Sequence, residues 1–369
     1  MRVVFLLTQD RGGPADLTVS LARELAGRPG GPGITVMGPA SLADAGCPGD
    51  LLVPLEVRSK TDLRGFRAVR ALLAKLAPDV IHAQDRRAGL VASFAAGTAT
   101  PVVLTFHGVP DTAAGRWVQA GPWQGRRPGV AGGSRMAADA LVSRRVRFTV
   151  APSRAMAAFL RRELRVPHAR LRVVHNGVAV PAPRGPADGL LTFATLSSFA
   201  PCKATPVLVE AFLGLAAARP GTRLLMVGDG IDRAQCEGLA RQSPAGRQVE
   251  FTGHRTDVDA QLGRADVFVL PSLNENLPLA LLQAMAKGLP CIATAVGGVP
   301  EVLDSTCGVL VAPGDVAALR AAMTAVAGDP DLAARLGSAA RQRVMQRFSL
   351  SRCADDHLRL WSEAVGGRR

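Results

Sequence analysis

The sequence contains no tyrosine, and aromatic residues make up only 4% of it. Single-stranded nucleic acids are gripped by stacking bases on aromatic rings, so a chain this poor in rings argues against that class of partner. Lysine is nearly as scarce: Lys60, Lys75, Lys203 and Lys287 are the only four, and no lysine-rich run occurs. The six cysteines, at 47, 202, 236, 291, 307 and 353, form no C-x-x-C pair and do not group with the six histidines. That excludes structural zinc and a disulfide framework as organising devices, and no metal is expected. Long apolar runs are also missing. The opening "MRVVFLL" is too short for a signal-peptide core and reads as a first strand. The uncharged run from Ala88 to Pro110 is broken by Gly97, Thr98, Thr100 and Pro101, which fits a short helix and a buried strand rather than a membrane span. The expected location is the cytoplasm, with peripheral contact at the inner face of the membrane left open.

What is abundant is arginine, and its placement is uneven. The net charge is +14, yet residues 1–180 hold 25 basic and 12 acidic residues while the remainder holds 19 and 18. The positive surface therefore belongs to the first half. At 369 residues and 48% apolar content, the chain is long enough for two cores.

Apolar strands alternate with amphipathic helices throughout, the signature of parallel sheets with helices on both faces. Strands are expected at 3–7, 34–37, 79–83, 101–106 and 147–151. After the Pro- and Gly-rich stretch 181–189 the alternation restarts, with strands at 190–195, 222–227, 249–252, 266–270 and 290–294. The expected fold class is α/β, with two Rossmann-like doubly wound domains facing each other across a cleft. The expected domains are 1–182, 183–348, and a terminal helix, 349–369, packing back on the first.

Several strand ends carry polar groups where ligands of such sheets bind. Gly12, Gly13 and Pro14 lie between the first strand and its helix, either as an anion seat or as a plain tight turn. His107 ends "PVVLTFHG", and His82 and Gln84 close "DVIHAQ" on the same edge, as ligand contacts or as structural side chains. Lys203 stands at a helix start, where a cation opposes the dipole and implies a nearby anion unless it is simply solvated. In "SLNENLPLALLQAMAKGLP", Glu275 and Gln283 bracket a helix start, with Pro278 in its first turn and Gly288 at its end. Free backbone N–H groups there can hold a phosphate, and Glu275 can accept from sugar hydroxyls.

"GGPADLTVSLARELA", "PDVIHAQDRRAGL", "PVVLTFHG", "VAPSRAMAAFL", "LRVVHNGV", Lys203, "LLMVGDG", "VEFTGH" and "ADVFVLPSLNENLPLALLQAMAKGLPCIATAVGGVPEVL" together resemble the family 4 glycosyltransferases of the GT-B fold, over nearly the whole chain. The resemblance implies transfer of a hexosyl-type or N-acetylhexosaminyl sugar from a nucleotide-diphosphate sugar to a hydroxyl acceptor, with retained anomeric configuration and no cofactor. A UDP-sugar is favoured over a GDP-sugar. It implies catalytic roles for His107, Glu275 and Lys203. It further implies a donor site of Gly12, Gly13, Thr195, Lys203, Gly253, His254, Glu275, Asn276, Leu277 and Gln283.

This sequence departs from the family pattern twice. Gln283 stands where a second glutamate is usual, which keeps hydrogen bonding to ribose but loses the charge. Thr195 stands near the position of an arginine that usually clamps the diphosphate, leaving Lys203, the Gly12-Gly13 turn and Arg255 to carry that charge. On the acceptor side, His82, Gln84, Trp117 and Trp123 are candidates. The acceptor itself ranges from a small molecule or natural product to an envelope glycan or lipid. The helix "SRAMAAFLRRELR" places Arg154, Arg161 and Arg165 as a basic face for an anionic membrane or for solvent. The alternatives are a donor-binding protein with weak or no transfer, a sugar-nucleotide epimerase, and a polyanion-binding protein.

Overall fold

A computed structural model describes residues 1–97, 100–108, 130–183, 185 and 189–367. The described residues fall into two compact units: those from Met1 to Gly177 together with Leu350 onward, and those of Val178–Ser349. Inside the second unit, Val178 pairs with Ser349 as a parallel bridge, and its N–H donates to Phe348 O at 3.0 Å.

The first unit holds a seven-stranded parallel sheet among its described residues: β1 (Arg2–Leu6), β2 (Gly33–Gly38), β3 (Leu52–Pro54), β4 (Val80–Ala83), β5 (Val102–Thr105), β6 (Phe148–Ala151) and β7 (Leu171–Val173). The order is β3-β2-β1-β4-β5-β6-β7, so chain direction across the sheet reverses between β1 and β4. The central strands are unbroken apolar runs because both faces are covered; Val3, Val4, Phe5 and Leu6 are all essentially inaccessible. Helices α1 (Gly13–Ala26), α2 (Leu63–Leu76), α3 (Arg86–Ala95), α4 (Val130–Arg145) and α5 (Arg154–Glu163) make the crossovers. The second unit repeats the plan with β8 (Leu191–Leu196), β9 (Thr222–Val227), β10 (Val249–Gly253), β11 (Val267–Leu270), β12 (Cys291–Thr294) and β13 (Val309–Val311), in the order β10-β9-β8-β11-β12-β13. Its helices are α6 (Thr205–Ala218), α7 (Arg233–Arg241), α8 (Val258–Gly263), α9 (Leu279–Ala286), α10 (Val299–Val302), α11 (Val316–Gly328) and α12 (Pro330–Arg347). Alternate residues of β11 feed opposite layers: Phe268 packs with Leu281 and Met285 of α9, while Val267 and Val269 pack with the Phe212 layer of α6.

The terminal helix α13 (Leu350–Gly366) belongs to the first unit, as the sequence leads one to expect, and packs on α1 and β4. Arg28, just past the end of α1, holds it through Asp355 at 2.5 Å and Ser351 O at 2.9 Å. Trp361, fully buried, sits edge-on to Phe5 at 5.5 Å and donates its indole N–H to His82 Nδ1 at 3.2 Å. Trp361→Phe keeps the apolar bulk but leaves that buried nitrogen unpaired, so a stability loss of about 1–3 kcal/mol is expected. Thermal unfolding that leaves the midpoint unchanged would show the bond to be immaterial.

Candidate functional site

In doubly wound sheets, ligands gather at the carboxyl ends of strands where strand order reverses. In the second unit that point lies between β8 and β11. After β8 the chain makes a 3₁₀ turn, Pro201–Lys203, and Ala204 follows in a left-handed conformation (φ 48°) as N-cap of α6. Leu273 N and Asn274 N both donate to Cys202 O, at 2.8 and 3.3 Å, and stitch this turn to the loop after β11. The stitch brings Lys203 Nζ to 2.6 Å from Glu275 Oε1, which also accepts from Ser272 Oγ at 2.7 Å. Ser272 is fixed in turn by Thr294 Oγ1, which donates to its carbonyl. Burial works to lower the Lys203 pKa, but the charge and hydrogen bond of Glu275 outweigh it and leave it raised. Lys203 is therefore a cation at neutral pH, with a buried carboxylate beside it.

Pro278 is the N-cap of α9, Leu277 is buried and Asn276 half-buried just before it, and Gln283 stands partly exposed on the helix. Lys287, one turn on, is not available to a ligand, because it is buried with its ammonium on Asp259 at 2.6 and 2.7 Å. Gly253 ends β10 at φ 72°, its carbonyl accepting from Gly228 N at 2.9 Å, and His254 follows exposed.

Two expectations need correction here. Thr195 is fully buried inside β8, so it does not stand at the strand's mouth; the alternation of a strand turns it into the sheet. Arg255 is no free cation either: its guanidinium makes two bonds to Asp257, at 2.7 and 2.8 Å, and that pairing holds the Asp257 carboxyl well below its ordinary range.

Residues that sequence reasoning passed over include Ser197, Gly228, Gly230, Ser272 and Thr294. Ser197 follows β8, and its hydroxyl is buried without a hydrogen-bond partner among the described residues. Gly228 and Gly230 adopt φ 133° and 156°, and a Cβ there would lie 1.8 Å from Ser197 O and 2.5 Å from Phe199 O. The signal was the paired glycine of "VGDG" directly after a strand, which marks close backbone approach.

In the first unit the reversal lies between β1 and β4, and Asp85 ties the two loops together. It accepts from Thr8 N at 2.6 Å and Thr8 Oγ1 at 2.8 Å, and it caps α3 through Arg87 N and Ala88 N. Gly12 is the exposed N-cap of α1 at φ 84°, with Gly13 and Pro14 opening the helix. Backbone conformation demands glycine at 12, since none of the described residues lies within 4 Å of a Cβ.

His107 lies two residues beyond β5, half-buried, with Nε2 2.9 Å from Gln84 Oε1. Burial first, and His357 second, push its pKa down to about 3. Facing a carbonyl oxygen, Nε2 carries the hydrogen of the neutral ring, and Nδ1 keeps its lone pair. The amide nitrogen of Gln84 is buried and has no hydrogen-bond partner among the described residues.

His82 does not belong with them on an acceptor surface. It is completely buried, its Nδ1 takes the indole N–H of Trp361, and Nε2 bonds Thr105 Oγ1 at 2.8 Å, so both ring nitrogens are used by the core. The calls on Trp117 and Trp123 lie outside the described residues. Among the described residues, no group of three or more His, Cys, Asp or Glu side chains could hold a metal.

Two family profiles meet at the boundary between the units: Glycosyltransferase Family 4 matches residues 11–180, and Glycosyl transferases group 1 matches 182–343. The chain belongs to the family 4 glycosyltransferases. Glycogen synthase of Mycobacterium tuberculosis is 33% identical over 208 residues, covering 54% of this chain and 50% of that protein. N-acetyl-alpha-D-glucosaminyl L-malate synthase of Bacillus anthracis is 32% identical over 154 residues, covering 42% and 40%. This family member thus spans about half the length of the curated relatives it matches. Its fold is that of solved GT-B glycosyltransferases. The structure of Anabaena HepE with UDP and glucose superposes with a TM-score of 0.82 at 17% identity, covering 98% of this chain and 100% of that one. Sucrose-phosphate synthase from Thermosynechococcus elongatus gives 0.81 at 22% identity, with both chains fully covered.

Proposed function

We propose that this family 4 glycosyltransferase moves a hexosyl-type or N-acetylhexosaminyl sugar from a UDP-sugar to a hydroxyl acceptor with retention of anomeric configuration. The observation that carries the proposal is the Lys203–Glu275 pair at the strand-order reversal of the second sheet. A buried carboxylate beside a cation offers complementary groups to a sugar-linked diphosphate: Lys203 to the phosphate charge, Glu275 to hydroxyls. The start of α9 supplies backbone N–H groups, and Gln283 bonds the ribose with an amide in place of a carboxylate. The acceptor hydroxyl attacks the anomeric carbon on the face from which the diphosphate departs. The leaving phosphate oxygen takes the proton, so no protein base is required. UDP bound to HepE supports the choice of base. The acceptor stays within the class of small molecules and envelope glycans or lipids.

A second reading, donor binding with weak transfer, is favoured by one feature: among the described residues at this point of the sheet, both Arg255 and Lys203 already hold a carboxylate, Asp257 and Glu275, so neither offers a phosphate an uncompensated charge.

Thermal shift against UDP, GDP, ADP and TDP sugars checks the proposal. UDP-sugars are expected to raise the midpoint, by about 2.7 kcal/mol of stabilisation at a hundredfold excess over Kd. Stabilisation by another base alone would replace the donor; none by any sugar nucleotide would remove the assignment.

A further inference from the structure

The surplus of positive charge in the first half of the sequence gathers on one helical layer that the transfer site does not use. Helix α2 packs on α3, and α3 on α4, on one side of the sheet, whereas α1 and α13 pack together elsewhere. These three helices contain nine basic residues and one acid. That acid, Asp139, is buried and bonded by Arg86 Nε at 2.7 Å, and Arg87 is turned inward onto Val57 O at 2.8 Å.

Six of the others, Arg64, Arg67, Arg70 and Lys75 on α2 and Arg144 and Arg145 on α4, face water. On α2, Gly65, Val69 and Leu73 are buried, while Arg64, Arg67, Arg70 and Lys75 are exposed among Ala68, Ala71 and Ala74, within an arc of roughly 160°. Asp62, the N-cap, spends its carboxylate on Gly65 N and Arg58 N, each at 3.0 Å. Three large apolar side chains stand in this same layer: Leu63, Phe94 and Leu141, exposed by 69%, 47% and 54%. Arg145 lies over the Phe94 ring at 4.4 Å, with Arg144 exposed beside it in sequence.

From this juxtaposition we infer that the α2–α3–α4 face is a docking surface for an anionic lipid bilayer. Cations draw the face to acidic headgroups, and Leu63, Phe94 and Leu141 enter the interfacial zone. A phosphodiester chain would use the charges but would gain little from three aliphatic or aromatic tips. Helix α5, the sequence's own candidate, is the poorer surface. Arg162 there is held by Glu163 at 2.9 Å, and Arg165 lies past the helix end at φ 51°, off the face expected for it. The inference does not depend on the identity of the sugar donor.

The test is co-sedimentation of the full chain, at low salt, with vesicles of one part phosphatidylglycerol to two parts phosphatidylcholine, and with phosphatidylcholine alone. Binding to the mixed vesicles and not to the neutral ones is expected. The triple variant Arg64→Gln, Arg67→Gln, Arg70→Gln should lower partitioning about a hundredfold, each cation near an acidic surface contributing roughly fivefold. Leu63→Ser with Phe94→Ser should keep low-salt binding and lose the fraction that survives high salt. The arginines and Leu63 are exposed, so their substitution should leave the unfolding midpoint unchanged; Phe94→Ser gives up the contact with Arg145 and should lower it slightly, and partitioning is compared only among folded variants. Absence of binding to the mixed vesicles, or wild-type binding by the triple variant, would overturn the inference. Equal affinity for single-stranded DNA that ignores Leu63→Ser and Phe94→Ser would overturn it too, by making the face a general polyanion site.

Discussion

Lys203→Ala is expected to cut turnover by about a hundredfold or more, the effect of removing one preorganised charge from a developing anion. The same change touches stability, because Glu275 is only 7% exposed on its side chain and would lose the cation that its oxygen shares with the Ser272 hydroxyl. Stripping a cation from a buried pair costs on the order of 2–3 kcal/mol here, less than for a pair wholly out of water, since Lys203 keeps 24% of its side-chain surface. A lowered unfolding midpoint in the single variant is therefore expected and by itself says nothing of catalysis. The double variant Lys203→Ala, Glu275→Gln separates the two effects. A neutral amide at 275 needs no cation, so the midpoint should recover. Turnover should not, because the phosphate still lacks its counter-charge and the carboxylate offered to the sugar hydroxyls is gone as well. Recovery of turnover along with stability would make Lys203 a structural partner of Glu275 and nothing more.

That pair shows how far a sequence can be read. The loop carrying Glu275 and the turn carrying Lys203 lie 72 residues apart in the chain, and their meeting is a consequence of β8 and β11 being neighbours. Alternating strands and helices announce a doubly wound sheet, and the reversal point follows from it, so both residues were legible as candidates. Their direct bond was not, because it depends on Cys202 O receiving two N–H groups from the opposite loop. Thr195 failed for a related reason: a strand's last two side chains point to opposite faces, and a shift of one residue at its end decides which faces the ligand. His82 failed because its environment comes from α13, a helix more than 250 residues away whose Trp361 claims one ring nitrogen. The edge strands β3, β7 and β13 escaped because three residues are too few to show a period, and they are half-exposed. Family resemblance supplied roles for whole motifs, but Arg255, expected to share the phosphate charge, is tied to Asp257 by a contact two residues away that no motif records.

His107→Ala is expected to lower kcat roughly ten- to a hundredfold while donor KM changes little, which marks an interaction stronger in the transition state than in the bound ground state. A change confined to KM would reassign His107 to ground-state binding. The protonation state sharpens the expectation. With a folded pKa of about 3 against an ordinary 6.5, the ring is neutral throughout the working range, presenting the Nδ1 lone pair while Gln84 holds Nε2–H. A profile of log kcat against pH should then show no limb near 6.5 from this group. Stability behaves differently. Below pH 6.5 the unfolded chain takes up a proton that the folded chain refuses until about pH 3, so this contribution is fully present above 6.5 and is lost as pH falls toward 3. His82 and His357, lowered in the same direction chiefly by burial, add to the loss. The unfolding midpoint should accordingly fall between pH 7 and pH 5, and less steeply in His107→Gln. A rate that falls as pH rises through about 6.5, in a limb that vanishes in His107→Gln, would show a charged imidazole at work, and the neutral, orienting role would have to be abandoned.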